Sequence, residues 1–153
     1  MKAILTAAAL LIAPAMAVAT GTVAEAQTFG SVNLRAGFTP DPYRVSITSG
    51  GAINANSISS GCRGWIANNV DYQVRYSAGA FNLSFSSTSS SDTTLLIEAP
   101  NGNLYCDDDS GNGLNPIVTI GNPQSGTYNV WVGSYRNGEY AQATLSISEL
   151  GRQ

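Results

Sequence analysis

The sequence predicts an all-β chain, a jelly-roll-like antiparallel β-sandwich that forms a single domain after a signal peptide. Three observations carry this. Apolar residues alternate with polar ones in short runs, clusters of Gly, Ser, Asn and Pro separate those runs, and beyond the leader the helical period never persists. Many short strands at this spacing need a second layer to cover their apolar faces, which gives a sandwich or jelly roll.

The leader comes first. Residues 1–26 open with one positive charge at Lys2, pass through an Ala/Leu/Ile run and reach small residues at Ala24 and Ala26, the pattern of a secretory signal peptide. Thr6 and Pro14 interrupt the apolar run, which falls short of the ~20 apolar residues that a spanning helix needs. Cleavage after Ala26 in "AEA" leaves a mature chain from Gln27, and "AMA" at 15–17 is a second site with small residues. Residues 27–153 then have the length of one domain.

The strands follow in order. "YRVSIT" alternates from Tyr43, and "VDYQVRYS" sets Val70, Tyr72, Val74 and Tyr76 on one face with Asp71, Gln73 and Arg75 on the other. "AFNLSFS" repeats the pattern with Phe81, Leu83 and Phe85. The Ser-rich tract at 84–91 is expected to form a hairpin loop, because Ser favours turns. "TTLLIEA" and "NLYC" flank Asn101-Gly102, a tight-turn pair that predicts an antiparallel hairpin. "PIVTI" comes next, then "TYNVWVGS" with Tyr128, Val130 and Val132 inward, and "AQATLSIS" with Ala141, Ala143, Leu145 and Ile147. The least regular segment, "TSGGAINANSISSGCRGW", is expected to wrap the sandwich edge, pinned at Cys62.

Cys62 and Cys106 are the only cysteines, and an even pair in a chain bound for an oxidising compartment predicts a disulfide. A secreted or periplasmic location follows from the leader and this pair. The charge is sparse and mildly acidic, with formal net charge −3. That leaves no basic patch for nucleic acid and no polybasic stretch for anionic lipid. No segment beyond the leader is apolar enough to insert in a membrane.

Catalysis is poorly supplied. The chain has no histidine, and its only lysine is Lys2 in the leader, so Ser-His-Asp, Cys-His and Ser-Lys arrangements cannot be assembled in the mature chain. A catalytic zinc site lacks ligands for the same reason. The remaining acid chemistry is the stretch "CDDDSGNGLNP". Asp107, Asp108 and Asp109 repel one another unless water, backbone donors or a cation offset the repulsion. With Asp92 from an earlier strand, these three are the candidate ligands of a weak calcium site, since a Gly-interrupted loop of Asp, Ser and Asn can curl to offer carboxylates and carbonyls together. From Asp108 the loop carries part of an EF-type pattern, with Thr119 where a bidentate Glu would close it. The competing reading is a solvated turn whose carboxylates accept backbone N–H bonds.

A binding surface is the other expectation. Trp131 has the opposite parity to Val130 and Val132 and therefore faces outward, followed by Tyr135 and Arg136; flat aromatics beside donors suit a sugar ring or a protein surface. The alternative for Trp131 is packing under a neighbouring loop, and Trp65 is expected against the disulfide or over the core.

The run "DTTLLIEAPNGNLYCDDDSGNGLNPIVTIGNPQSGTYNVWVGSY", with the later "ATLSISEL", resembles the bacterial pre-peptidase C-terminal domain. The features shared with that family are Asp92 opening a strand, the "P-x-G" hairpin at 100–102, the acidic loop and "SGTYNVWV". The upstream "GFTPDPYRVSITSGG" and "GCRGWIANNVDYQVRY" look like small exported relatives that carry the domain alone. The resemblance implies a jelly-roll-like sandwich, of a kind usually attached to secreted proteases and removed or used for substrate binding. It also implies that some members bind calcium through acidic loop residues, and that some bind collagen or other polymers. This chain has no room for a peptidase domain beside it. The expectation is an exported, non-catalytic module, calcium-stabilised, that binds a polymer or a protein at the cell envelope or outside the cell. The alternative is a structural or interaction component of the envelope without a small ligand; a peptidase-associated hydrolase ranks after both, with an aspartic pair between Asp92 and the cluster Asp107, Asp108 and Asp109 as its only means of catalysis.

Overall fold

The computed structural model describes residues 28–151; the leader at residues 1–26, its cleavage point and Gln27 lie outside the described residues. Eleven strands make up the described chain: β1 (Ser31–Arg35), β2 (Tyr43–Thr48), β3 (Ile53–Asn54), β4 (Trp65–Ile66), β5 (Tyr72–Ser77), β6 (Leu83–Ser89), β7 (Thr93–Glu98), β8 (Leu104–Asp107), β9 (Ile117–Ile120), β10 (Gly126–Ser134) and β11 (Gln142–Ser148). One 3₁₀ turn, Ala55–Ser57, lies between β3 and β4.

The strands form two sheets packed as a β-sandwich. The larger has seven strands and centres on β10, which pairs with β5 and β4 along one edge and β7 along the other, with β1, β8 and β3 outermost. The smaller runs β2-β11-β6-β9. All pairings are antiparallel except β1 with β5, which runs parallel from Ser31↔Gln73 to Arg35↔Ser77. Alternation along single strands carries no information on that direction.

The core lies between the sheets. Tyr72, Val74 and Tyr76 of β5, Leu95 and Ile97 of β7, and Tyr128, Val130 and Val132 of β10 meet Leu83 and Phe85 of β6 and Leu145 and Ile147 of β11. Tyr128 touches the Phe85 ring at 5.7 Å between centroids. Each fully buried Leu, Ile or Phe contributes roughly 1.5–3 kcal/mol by leaving water. The Asn101-Gly102 hairpin forms as predicted: β7 and β8 pair from Leu95↔Asp107 to Glu98↔Leu104, with Gly102 at φ +79° in the turn.

Three expectations are corrected. The Ser-rich run is not a loop; β6 continues through Ser89, with buried Ser84 hydrogen-bonded to Thr119 Oγ1 and buried Ser87 to Thr93. Pairing of hydroxyls across strands removes the cost of burying them, which composition alone does not reveal. Phe81 is exposed, because β6 begins after it at Leu83. Asp71, expected on a polar face, is buried, and its position just ahead of β5 places it at a gap in the large sheet.

That gap explains the carboxylate. Along one edge of β10, β5 pairs only as far as Val130 and β4 meets the strand at Ser134. Between them the Val132 N–H donates to Asp71 Oδ2 at 2.9 Å, the Gly50 N–H donates to the Val132 carbonyl at 2.9 Å, and the Asp71 N–H donates to the Val130 carbonyl at 3.0 Å. Asp71 splices the edge where no strand is present. Burial pushes its carboxyl up to about 7, against the opposing pull of the Val132 N–H.

Candidate functional site

The irregular segment folds into a flap over one end of the large sheet. β3 and β4 pair through Ile53↔Ile66 and Asn54↔Trp65, and the turn between them is tied down by its own asparagines. Asn54 Oδ1 accepts from the Asn56 N–H at 3.0 Å, and Asn56 Oδ1 accepts from the Gly61 N–H at 3.0 Å. The predicted disulfide is present: Cys62 and Cys106 are bonded, with Cα atoms 5.6 Å apart, joining the flap to β8. Gly64 is needed where it stands. At φ +88°, a Cβ there would lie 2.5 Å from Thr94 Oγ1, so only glycine lets the flap sit this close to β7.

Successive residues of a strand face opposite ways, and β4 uses both faces. Ile66 joins a small apolar cluster on the outer face of the large sheet with Ala55, Cys62 and Leu96, against which Ile53, Leu104, Cys106 and Trp131 pack. Trp65 belongs to neither apolar cluster. It lines an open trough of about 480 Å³ together with Asn54, Asn56, Arg63 and Tyr135.

The three residues expected to form one surface are therefore separated. Trp131 does leave the main core, as its parity predicts, but it packs beneath the flap, and its Nε1–H is shielded from solvent without a hydrogen-bond partner. It lines a separate cavity of about 240 Å³ with Ile53, Ile58, Ile66, Leu96 and Leu104. Tyr135 is 39% exposed and lines the trough. Arg136 is exposed near Asp92, whose carboxylate it favours. Sequence reasoning passes over Asn54, Asn56 and Arg63; the clue to them is the density of Asn and Gly around Cys62.

The acidic residues also divide by role. Asp107 ends β8 and organises the loop after it: Oδ1 accepts from Ser110 Oγ at 2.6 Å, while Oδ2 accepts from the N–H groups of Ser110 and Ile117, each at 2.9 Å. Asp108 pairs with Arg63 Nε at 3.5 Å on the rim of the trough. Asp92 Oδ1 is shielded and has no partner. Burial raises the Asp92 carboxyl first, then the charges of Asp109 and Asp108, with Arg136 opposing and Glu139 adding to the rise. Among the described residues no three acidic or cysteine side chains converge closely enough to hold a metal by themselves. The Tyr135 N–H donates to the Asp92 carbonyl at 3.0 Å, so this acidic group borders the trough.

Fold and site together define a disulfide-pinned β-sandwich that presents an aromatic trough at one end. Among solved structures, the chain is similar to the pre-peptidase C-terminal domain of a collagenase from Bacillus anthracis, at 16% identity and TM-score 0.49 over 80% of this chain and 97% of that one. It is also similar to PliG of Aeromonas hydrophila, a periplasmic inhibitor of g-type lysozyme, at 16% identity and TM-score 0.39 over 78% of this chain and 96% of that one. The first of these is a structure of the family whose motifs the sequence resembles. No family model matches the chain, and no curated protein matches it. No helix among the described residues is long and apolar enough to cross a membrane.

Proposed function

We propose that this chain is an exported, non-catalytic module that binds a polymer or a protein at the cell envelope or outside the cell, through the trough beside the disulfide. The observation that carries this is the convergence of Trp65 and Tyr135 with Asn54, Asn56 and Arg63 in one open depression. Aromatic faces supply contact area at low entropic cost, and amide and guanidinium donors fix orientation. The absence of histidine and of any lysine beyond Lys2 supports a role without catalysis. Export is supported by the disulfide, a bond that persists in oxidising compartments.

The test is retention of the immobilised chain on washed envelope and extracellular polymer, beside Tyr135→Ala. Retention that the substitution abolishes, with an unchanged melting midpoint and no cleavage of casein, is the expected outcome. Equal retention by both chains moves binding to another surface.

A second reading concerns calcium. The orphaned Oδ1 of Asp92 and its repulsion by Asp108 and Asp109 favour a cation at this place, with loop carbonyls and water completing the shell. Asp107 is better used in holding the loop than as a ligand, because both of its oxygens already accept hydrogen bonds. Calcium should raise the melting midpoint of the wild type and leave Asp92→Asn unmoved. An unchanged wild-type midpoint up to ~10 mM calcium, well above the affinity range of extracellular sites, sinks this reading.

A further inference from the structure

We propose that the trough selects a neutral saccharide, a ligand class that rests on the binding-module reading above and goes beyond it. The first argument is the form of the lining. Trp65 and Asn54 are directly opposed across the β3–β4 pair, which places their side chains on one face, and Tyr135 stands on the same depression. A pyranose ring has an apolar C–H face and a polar hydroxyl edge. An aromatic ring, negative over its face, takes the first, and donors at its margin take the second.

The second argument is the state of those donors. The carboxamide oxygens of Asn54 and Asn56 are both spent on backbone N–H groups of the flap. Their Nδ2 groups are thereby held in place and outward on exposed side chains, ready to donate to hydroxyl oxygens or to an acetamido carbonyl. The Arg63 side chain is 63% exposed and is positioned through Nε on Asp108, which leaves the outer edge of its guanidinium toward solvent. These groups are ordered before any ligand arrives, so little rotamer freedom is lost on binding.

The third argument is charge. Arg63 is paired with Asp108; around Asp92 the carboxylates of Asp108, Asp109 and Glu139 outnumber the single cation Arg136, and the whole chain carries net charge −3. An anionic sugar meets a repulsive field here, while a neutral one does not. A protein partner is the weaker match, because hot spots bind in deep desolvated apolar pockets and this trough is shallow, open and edged with donors.

The experiment uses the exported chain with Trp131→Phe, which leaves Trp65 as the single tryptophan and so as a reporter of the trough. Cellohexaose, xylohexaose and chitohexaose are titrated against its fluorescence, with oligogalacturonate as the anionic counterpart. At least one neutral hexaose should shift the emission of Trp65, oligogalacturonate should not, and adding Tyr135→Ala should weaken binding about tenfold, the equivalent of ~1.4 kcal/mol. Preference for the anionic sugar overturns the inference, as does sugar binding that leaves Trp65 emission and the Tyr135→Ala chain unaffected. No sugar binding together with Tyr135-dependent retention of envelope protein overturns the saccharide while the module stands. No binding of either kind removes both.

Discussion

The cluster between the sheets draws Tyr128, Val130 and Val132 from one face of β10, while the other face of the same strand gives Trp131 to a smaller cluster with Ala55, Cys62, Ile66 and Leu96. The first is enclosed by long ladders: β11 pairs with β6 over six residues and β10 with β7 over six. The second is covered by a flap whose strands have two residues each and which joins β10 through the single pair Ser134↔Trp65. Backbone pairing sustains the one, and a covalent tie at Cys62–Cys106 holds the other closed. The trough forms on the region with the fewest ladder bonds, where side chains are placed by local hydrogen bonds and the disulfide.

Breaking the large cluster should have the greatest effect. Phe85 is fully buried against Tyr128, and Phe85→Ala should cost about 3–5 kcal/mol in urea unfolding. A loss below ~1 kcal/mol would place the mechanical centre of the fold elsewhere. The Cys62→Ser/Cys106→Ser double variant comes next, at about 2–4 kcal/mol for a bridge that spans 44 residues. Its signature is local: amide exchange should accelerate in 53–66 well beyond the rise in β10 and β11. Uniform acceleration across both regions would show that the flap is no separate unit.

The same contrast governs what the sequence makes legible. Strands whose two faces differ, such as β5 and β10, announce themselves through alternation at Tyr72, Val74 and Tyr76 or at Tyr128, Val130 and Val132. The disulfide and the Asn101-Gly102 hairpin are equally readable, because few residues serve those purposes. Ser84 and Ser87 mislead, since their burial depends on hydroxyl partners in β9 and β7. The trough is hidden for a related reason: Asn54, Arg63, Trp65 and Tyr135 meet only after β4 docks on β10. The departure of Trp131 from the main core is legible from parity, and packing under a neighbouring loop is one of the two readings its position allows; which segment covers it is not legible, because the flap at residues 53–66 comes from well upstream in the chain.

Asp71 sharpens the comparison, for it occupies the seam where the ladder of β5 stops and the flap begins. Its carboxyl stands at about 7 in the fold against 3.8 ordinarily. The folded chain therefore holds a proton that the unfolded chain has released, and stability falls as pH rises through the window from about 4 to about 7. Between pH 5 and pH 7 the loss should amount to about 2 kcal/mol, and it should level off above that range. Asp71→Asn keeps an acceptor for the Val132 N–H and removes the ionisation. Unfolding midpoints of this variant should be flatter across the window; a slope equal to that of the wild type would assign the pH dependence to other carboxyls.

The smallest expected effect tests how tightly the flap closes. Trp131 Nε1–H is shielded and unpartnered, an arrangement that ordinarily costs about 1–3 kcal/mol. Trp131→Phe removes the donor, which favours the variant, and also removes part of a buried ring, which disfavours it at about 25 cal/mol per Å² of apolar surface lost. The two terms oppose one another and are of similar size, so the net change should stay within ~1 kcal/mol by urea unfolding. A loss above ~2 kcal/mol would show that the indole N–H has a partner in solution, and the adjoining cavity of about 240 Å³ has room for a water to serve as one. A paired cycle with the disulfide variant completes the test. If the bridge holds the flap on Trp131, the two changes should couple by about 0.5 kcal/mol or more, whereas Phe85→Ala, which faces the other sheet, should add to Trp131→Phe independently.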